Sequence, residues 1–184
     1  IYEKLRLIRS HGRIEKLSDY FSDASSSQYV MIGSNLRMPT LCAALGLSQF
    51  AKINKIIAKR RRNTFYLAKK ISNNNINDYL KVLLPKKNDY AVFQMFTIIL
   101  SSSNIRNQLQ KYLIAKRIMC KVYFNPVHLE DVYKKVYGFS KGNLPVTENL
   151  SSRVLTLPLY PHMKKTEIDY IALQINNFFK IIRR

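Results

Sequence analysis

Acidic residues are scarce in this chain. Its 184 residues hold 11 Asp and Glu against 31 Lys and Arg, a formal charge of +20. An excess of that size points toward polyanions, nucleic acid among them, but its distribution argues otherwise. One run, Lys59-Arg60-Arg61-Arg62, is dense, and the rest is scattered in pairs such as Lys86-Lys87, Lys134-Lys135 and Lys164-Lys165. On a helix the charges of the run spread around the axis, so a solvated face is expected there. The Phe and Tyr residues fall at core spacings and do not interleave with the charge as a base-stacking surface would. A composition rich in Ile, Asn and Lys is also one that codon bias alone produces. No nucleic-acid partner is therefore expected.

Long apolar runs are missing as well. The longest, residues 90–100 and 171–175, fall short of the roughly 20 residues needed to cross a bilayer. There are only two cysteines, Cys42 and Cys120, far apart and in apolar contexts. They build neither a disulfide framework nor a zinc pattern. They read as buried free thiols, and a reducing cytoplasm follows as the expectation. The chain opens on Ile1 with no initiator Met and no signal-peptide pattern. Residues 1–9 read as the middle of an amphipathic helix, as if the chain started partway through a longer one. What is present in quantity is ordinary globular material: 47% hydrophobic and 23% charged residues, enough for a sizeable core. There are no internal repeats.

Periodicity supplies the elements. Residues 3–9 form a helix with Leu5 and Ile8 on one face, ending near Gly12. Residues 13–32, with the serine-rich cluster 22–27, read as loop. Pro39 suits a first helical position. From there to about Ile71 the apolar spacing is helical, with Gly46 and the residues around Asn54 leaving room for a break. The polar stretch 73–78 is the candidate boundary between residues 1–72 and 73–184. Beyond it, residues 90–100 are aromatic and β-branched and read as a strand. Residues 105–116 form a helix facing inward with Ile105, Leu109, Tyr112 and Leu113. Residues 118–124 read as a strand stopped by Pro126, and 153–157 as another stopped by Pro158. Thr166 caps a last helix that turns Ile168, Ile171, Ile175, Phe178 and Phe179 inward. The order β-α-β-β-α predicts an α/β sandwich with helices on a mostly antiparallel sheet.

Five segments resist a purely structural explanation: Gly33-Ser34-Asn35-Leu36-Arg37-Met38, Ala43-Ala44-Leu45-Gly46-Leu47-Ser48-Gln49, Phe124-Asn125-Pro126-Val127-His128-Leu129, Leu144-Pro145-Val146-Thr147-Glu148, and Val154-Leu155-Thr156-Leu157-Pro158-Leu159-Tyr160-Pro161. In this order and spacing they resemble the DegT/DnrJ/StrS aminotransferases, which make amino sugars on nucleotide carriers. The resemblance runs from Leu7-Ile8-Arg9-Ser10-His11-Gly12 to Phe178-Phe179. It implies the fold of aspartate aminotransferase, a pyridoxal phosphate enzyme of fold type I, with residues 1–72 as the tail of the large domain and its connecting helix. Residues 73–184 would be the small C-terminal domain. It further implies a homodimer with active sites at the interface, a nucleotide-sugar substrate and glutamate as amino donor. The lysine that anchors the cofactor and the aspartate that pairs with its ring nitrogen are expected upstream of Ile1, so no catalytic residue is named within the chain, and the acidic partners of the basic run would in part lie there too.

By the same resemblance Asn35 reaches across the interface to the neighbour's cofactor phosphate, where an amide donates without adding charge. Turn or cap asparagines are the ordinary alternative. Arg37 is expected to grip the donor carboxylate, for which a planar fork is suited, or else to make a structural ion pair. His128 is expected to line the partner's site, with Tyr133 sharing that wall, or to be a satisfied histidine at a strand end. The pattern departs from the family at Ser34 and Leu36, where aromatics are frequent. His11 is taken as structural and His162 as a surface residue, and no metal site is expected. Dehydration of a sugar on the same scaffold, a split-gene remnant and a basic binding module are the alternatives to transamination.

Overall fold

The computed structural model describes residues 1–14, 28–72, 76–86 and 88–183. The loop expected around the serine cluster 22–27 and the first part of the linker, residues 73–75, lie outside them. The chain divides into two compact units, Ile1–Lys52 and Ile53–Arg184.

The first unit begins with α1 (Tyr2–Arg9). The chain then doubles back, and two of the sequence motifs meet backbone to backbone. Ser34 N–H donates to Ile8 O at 2.8 Å, Leu36 N–H to Arg9 O at 2.9 Å, and His11 N–H to Ser34 O at 3.2 Å. Two glycines make this approach possible. A Cβ on Gly12, whose φ is +75°, would sit 1.7 Å from Met31 O. One on Gly33 would sit 2.3 Å from Gly12 N and 2.7 Å from Ile8 O, so only glycine fits at either position. Then follows α2 (Thr40–Phe50), for which Pro39 is the cap and not the first helical residue. It has no charged residue and no buried one. Cys42 on this helix is exposed and Cys120 half-buried, which corrects the expectation of two buried thiols. The helical stretch breaks at Ala51 and Lys52, close to Asn54 as expected.

The second unit holds α3 (Ile53–Ser72), β1 (Leu80–Val82), β2 (Phe96–Leu100), α4 (Ser103–Ala115), a 3-10 turn (Val127–Leu129), α5 (Asp131–Tyr137), α6 (Pro145–Arg153), β3 (Val154–Leu157) and α7 (Lys165–Ile182). The sheet has the order β1-β2-β3 and is antiparallel throughout, pairing Leu80 with Leu100 and Ile98 with Leu155. Phe96, Ile98 and Leu100 point to one face, where they join Leu67 and Ile71 of α3, Leu109 and Leu113 of α4, and Ile168, Ile171, Ile175, Phe178 and Phe179 of α7 in a single core. The inward faces expected for α4 and α7 are thus found. Thr166, however, lies inside the first turn of α7. The cap is made instead by the Glu167 carboxylate, which accepts from the Lys164 N–H at 2.7 Å.

Two strand expectations need correction. Of residues 118–124 only Lys121 pairs, in one bridge to Thr156, because the free edge of the four-residue β3 is met there alone. Of residues 90–100 only 96–100 form β2. The earlier carbonyls are engaged by the basic run. Arg60 Nη1 donates to Phe93 O, Gln94 O and Leu159 O at 3.1–3.3 Å, and Arg61 Nη1 donates to Ala91 O at 2.6 Å. The Arg61 guanidinium also lies 4.1 Å from the centre of the Tyr90 ring. The half-buried Arg60 and Arg61 therefore fasten one backbone segment to α3, and the run is not the solvated face its sequence suggested. Arg61→Met is expected to lower stability by about 1–2 kcal/mol, from a charged hydrogen bond and a cation–π contact. Lys69→Met, on the exposed side of the same helix, should change it by under about 0.5 kcal/mol. Equal urea midpoints for the two variants would contradict this role for Arg61. No helix among the described residues is long and apolar enough to cross a membrane.

Candidate functional site

The candidate residues fall into two groups, one in each unit. In the first, the backbone of Asn35 bridges to Ser10 at the C-terminal end of α1. Its side chain is exposed. The cap of α2 is Pro39, with no side-chain bond to the helix start, so Asn35 does not cap that helix. Among the described residues no hydrogen bond uses its amide. Two residues on, the Arg37 Nε–H donates to Ser10 Oγ at 3.2 Å. Ser10 is fully buried, so this bond ties the segment to the end of α1. His11, at φ +60°, contributes its backbone N–H to the same junction.

In the second unit His128 sits in the 3-10 turn after Pro126 and is only 5% exposed. Its Nε2 lies 3.0 Å from Glu148 Oε1. The same carboxylate accepts the Gly142 N–H at 2.9 and 3.0 Å and the Leu144 N–H at 3.3 Å. His128 first, and then these backbone donors, hold the Glu148 carboxyl below the usual carboxylate range. The ring of His128 meets Phe139 edge-on at 6.0 Å. Phe139 contacts Tyr137 at 6.2 Å, and Tyr137 stacks on Tyr133 at 6.1 Å. The structure thus joins His128 and Tyr133, five residues apart, through one row of rings. Gly138, at φ +69°, ends α5 and lets the chain turn back to deliver Phe139.

Glu148 and Phe139 carry no role on sequence grounds alone. The signal for Glu148 lies in its motif: Pro145 at a first helical position and an acidic residue within the first turn announce the start of α6. That its carboxylate would reach back 20 residues to a histidine is a tertiary fact. Among the described residues no group of three or more His, Cys, Asp and Glu could hold a metal. A groove of about 430 Å³ lined by Arg117, Met119, Tyr160, Met163 and Glu167, among others, includes none of the four candidates. His162 is exposed, as expected, with Nδ1 3.4 Å from Lys59 Nζ.

The profile of the DegT/DnrJ/EryC1/StrS aminotransferase family matches residues 1–176. The chain is similar to GDP-perosamine synthase of Escherichia coli O157:H7, with 30% identity over 149 residues, 81% of this chain and 38% of that one. It is similar in structure to Helicobacter pylori PseC, an aminotransferase involved in the biosynthesis of pseudoaminic acid. The TM-score is 0.83 at 23% identity, over 97% of this chain and 46% of that one. A Streptococcus pneumoniae protein solved in its PLP form gives a TM-score of 0.82 at 19% identity, over 98% of this chain and 44% of that one. The chain spans less than half the length of each of these proteins.

Proposed function

Because the chain belongs to the DegT/DnrJ/EryC1/StrS aminotransferase family, we propose that it is part of an enzyme that moves an amino group from glutamate to a nucleotide-linked keto sugar. The fold is the C-terminal part of that of the pyridoxal phosphate-dependent aminotransferases. The names of the relatives, a GDP-perosamine synthase and a UDP-linked altrosamine transaminase, support a sugar as the amino acceptor. In our reading the product serves cell-surface polysaccharide or amino-sugar synthesis, and the enzyme is a cytoplasmic homodimer.

The observation that carries the reading is the setting of Asn35. Its backbone is pinned to the end of α1, its side chain is exposed, and among the described residues nothing uses its amide. Such a group fits a phosphate oxygen, to which it can donate without adding charge. When bound, pyridoxal phosphate supplies the electron sink through which nitrogen leaves one substrate and joins the other. Asn35 would hold its phosphate on the neighbouring subunit. Arg37, tied at Nε to Ser10, would aim its guanidinium at the donor carboxylate. His128 and Tyr133 would wall the neighbour's sugar site. The lysine that anchors the cofactor is assigned to the half that this chain does not span. Residues 1–72 are read as the tail of the large domain with its connecting helix, and 73–184 as the small domain.

The half-reaction tests this directly. The whole enzyme, given glutamate and no sugar, should release about one 2-oxoglutarate per cofactor and then stop until a keto sugar is added. Sugar turnover that needs no glutamate would favour dehydration on the same scaffold and sink the aminotransferase reading.

A further inference from the structure

His128 is held from two directions. The edge contact with Phe139 sets the plane of the ring, and Glu148 takes one nitrogen. Three contacts on the carboxylate come from the backbone N–H groups of Gly142 and Leu144. Those groups can only donate, so the Glu148 oxygens act as acceptors, and the hydrogen between Glu148 and His128 must be carried by Nε2. In the neutral ring that choice makes Nδ1 the acceptor. No described residue hydrogen-bonds Nδ1. Among the described residues the buried side-chain atoms without a partner are those of Thr64, Arg106 and Asn176, so Nδ1 belongs to the small exposed part of His128.

We propose that Glu148 is the positioning residue of His128, fixing the imidazole as the Nε2–H tautomer so that Nδ1 is offered as an acceptor to a hydroxyl or ammonium group of the substrate. The inference rests on the proposed contact of His128 with substrate in the neighbour's site, and it gives the Leu144-Pro145-Val146-Thr147-Glu148 motif a purpose. Glu148 acts through the histidine and does not itself meet the substrate. Its position is secured locally, since the loop N–H groups at 142 and 144 hold the carboxylate and the first turn of α6 carries it.

The tautomer can be read without activity. The chain has three histidines, His11, His128 and His162, so long-range nitrogen–proton NMR of histidine-labelled chain resolves them, with His11→Gln and His162→Gln for assignment. His128 should show a protonated Nε2 and a lone pair on Nδ1. Glu148→Gln should preserve this, because the amide oxygen can still accept. Glu148→Ala should release the ring to a mixture of both tautomers. A protonated Nδ1 in the unsubstituted chain, or an unchanged tautomer in Glu148→Ala, overturns the inference. A merely structural carboxylate would lower the melting temperature in both variants and leave the tautomer alone. In the whole enzyme, Glu148→Ala should lose up to about a hundredfold in kcat and Glu148→Gln should recover most of it. If the tautomer responds as expected while kcat/KM for the sugar stays unchanged in Glu148→Ala, the positioning stands and the proposed substrate contact of His128 falls.

Discussion

Phe179→Ala is expected to destabilise the fold by about 3–5 kcal/mol, the usual range for emptying a buried aromatic site. Phe179 is fully buried. Its ring centre lies 5.7 Å from that of Tyr79 and 5.1 Å from that of Phe178, and the side chain belongs to the core that α7 builds with α3, α4 and the sheet. Such a loss is a large share of a stability that is typically 5–15 kcal/mol in all. Leu173, on the same helix but 52% exposed, is the control, and its truncation should cost under about 1 kcal/mol. Urea unfolding of the chain checks both. A Phe179→Ala unfolding free energy within about 1 kcal/mol of the parent, at unchanged slope, would mean that α7 does not close the core.

That core was readable because α7 and α4 repeat their apolar residues at helical spacing over long stretches, and β3 is bracketed by Arg153 and Pro158. The rest was hidden for physical reasons. Residues 90–95 have strand composition, but Arg60 and Arg61 occupy the carbonyls of Ala91, Phe93 and Gln94, and nothing local announces a donor 30 residues away. β1 has three residues, too few for a period to appear. α5 and α6 are short and bury nothing, so no apolar stripe marks them. At the candidate site the Gly33-Ser34-Asn35-Leu36-Arg37-Met38 motif was legible as a unit, and the reason for its glycine is the backbone of Ile8 and Gly12 pressed against it. The pairing of His128 with Glu148 was not, because it joins two motifs that have no visible tie in the chain.

Asn35→Ala, in the whole enzyme, is expected to weaken cofactor binding about tenfold to a hundredfold. In the proposed role the lost bond would go to a charged phosphate and be worth about 1.5–3 kcal/mol, where 1.4 kcal/mol is a factor of ten. The maximal rate should return when cofactor is added in excess, since the anchoring lysine is untouched. If Asn35 served only the turn after α1, the variant would melt earlier and bind cofactor as the parent does.

Mixing Asn35→Ala subunits with subunits lacking the anchoring lysine decides whether this chain completes its neighbour's site. In the proposed arrangement a mixed dimer would carry its one working lysine on the Asn35→Ala subunit, and the phosphate beside it would face a partner that still carries Asn35. Cofactor titration of isolated mixed dimers should show that site restored to the parent's affinity. Mixed dimers that form but bind cofactor as weakly as the Asn35→Ala homodimer would contradict a role for Asn35 across the interface.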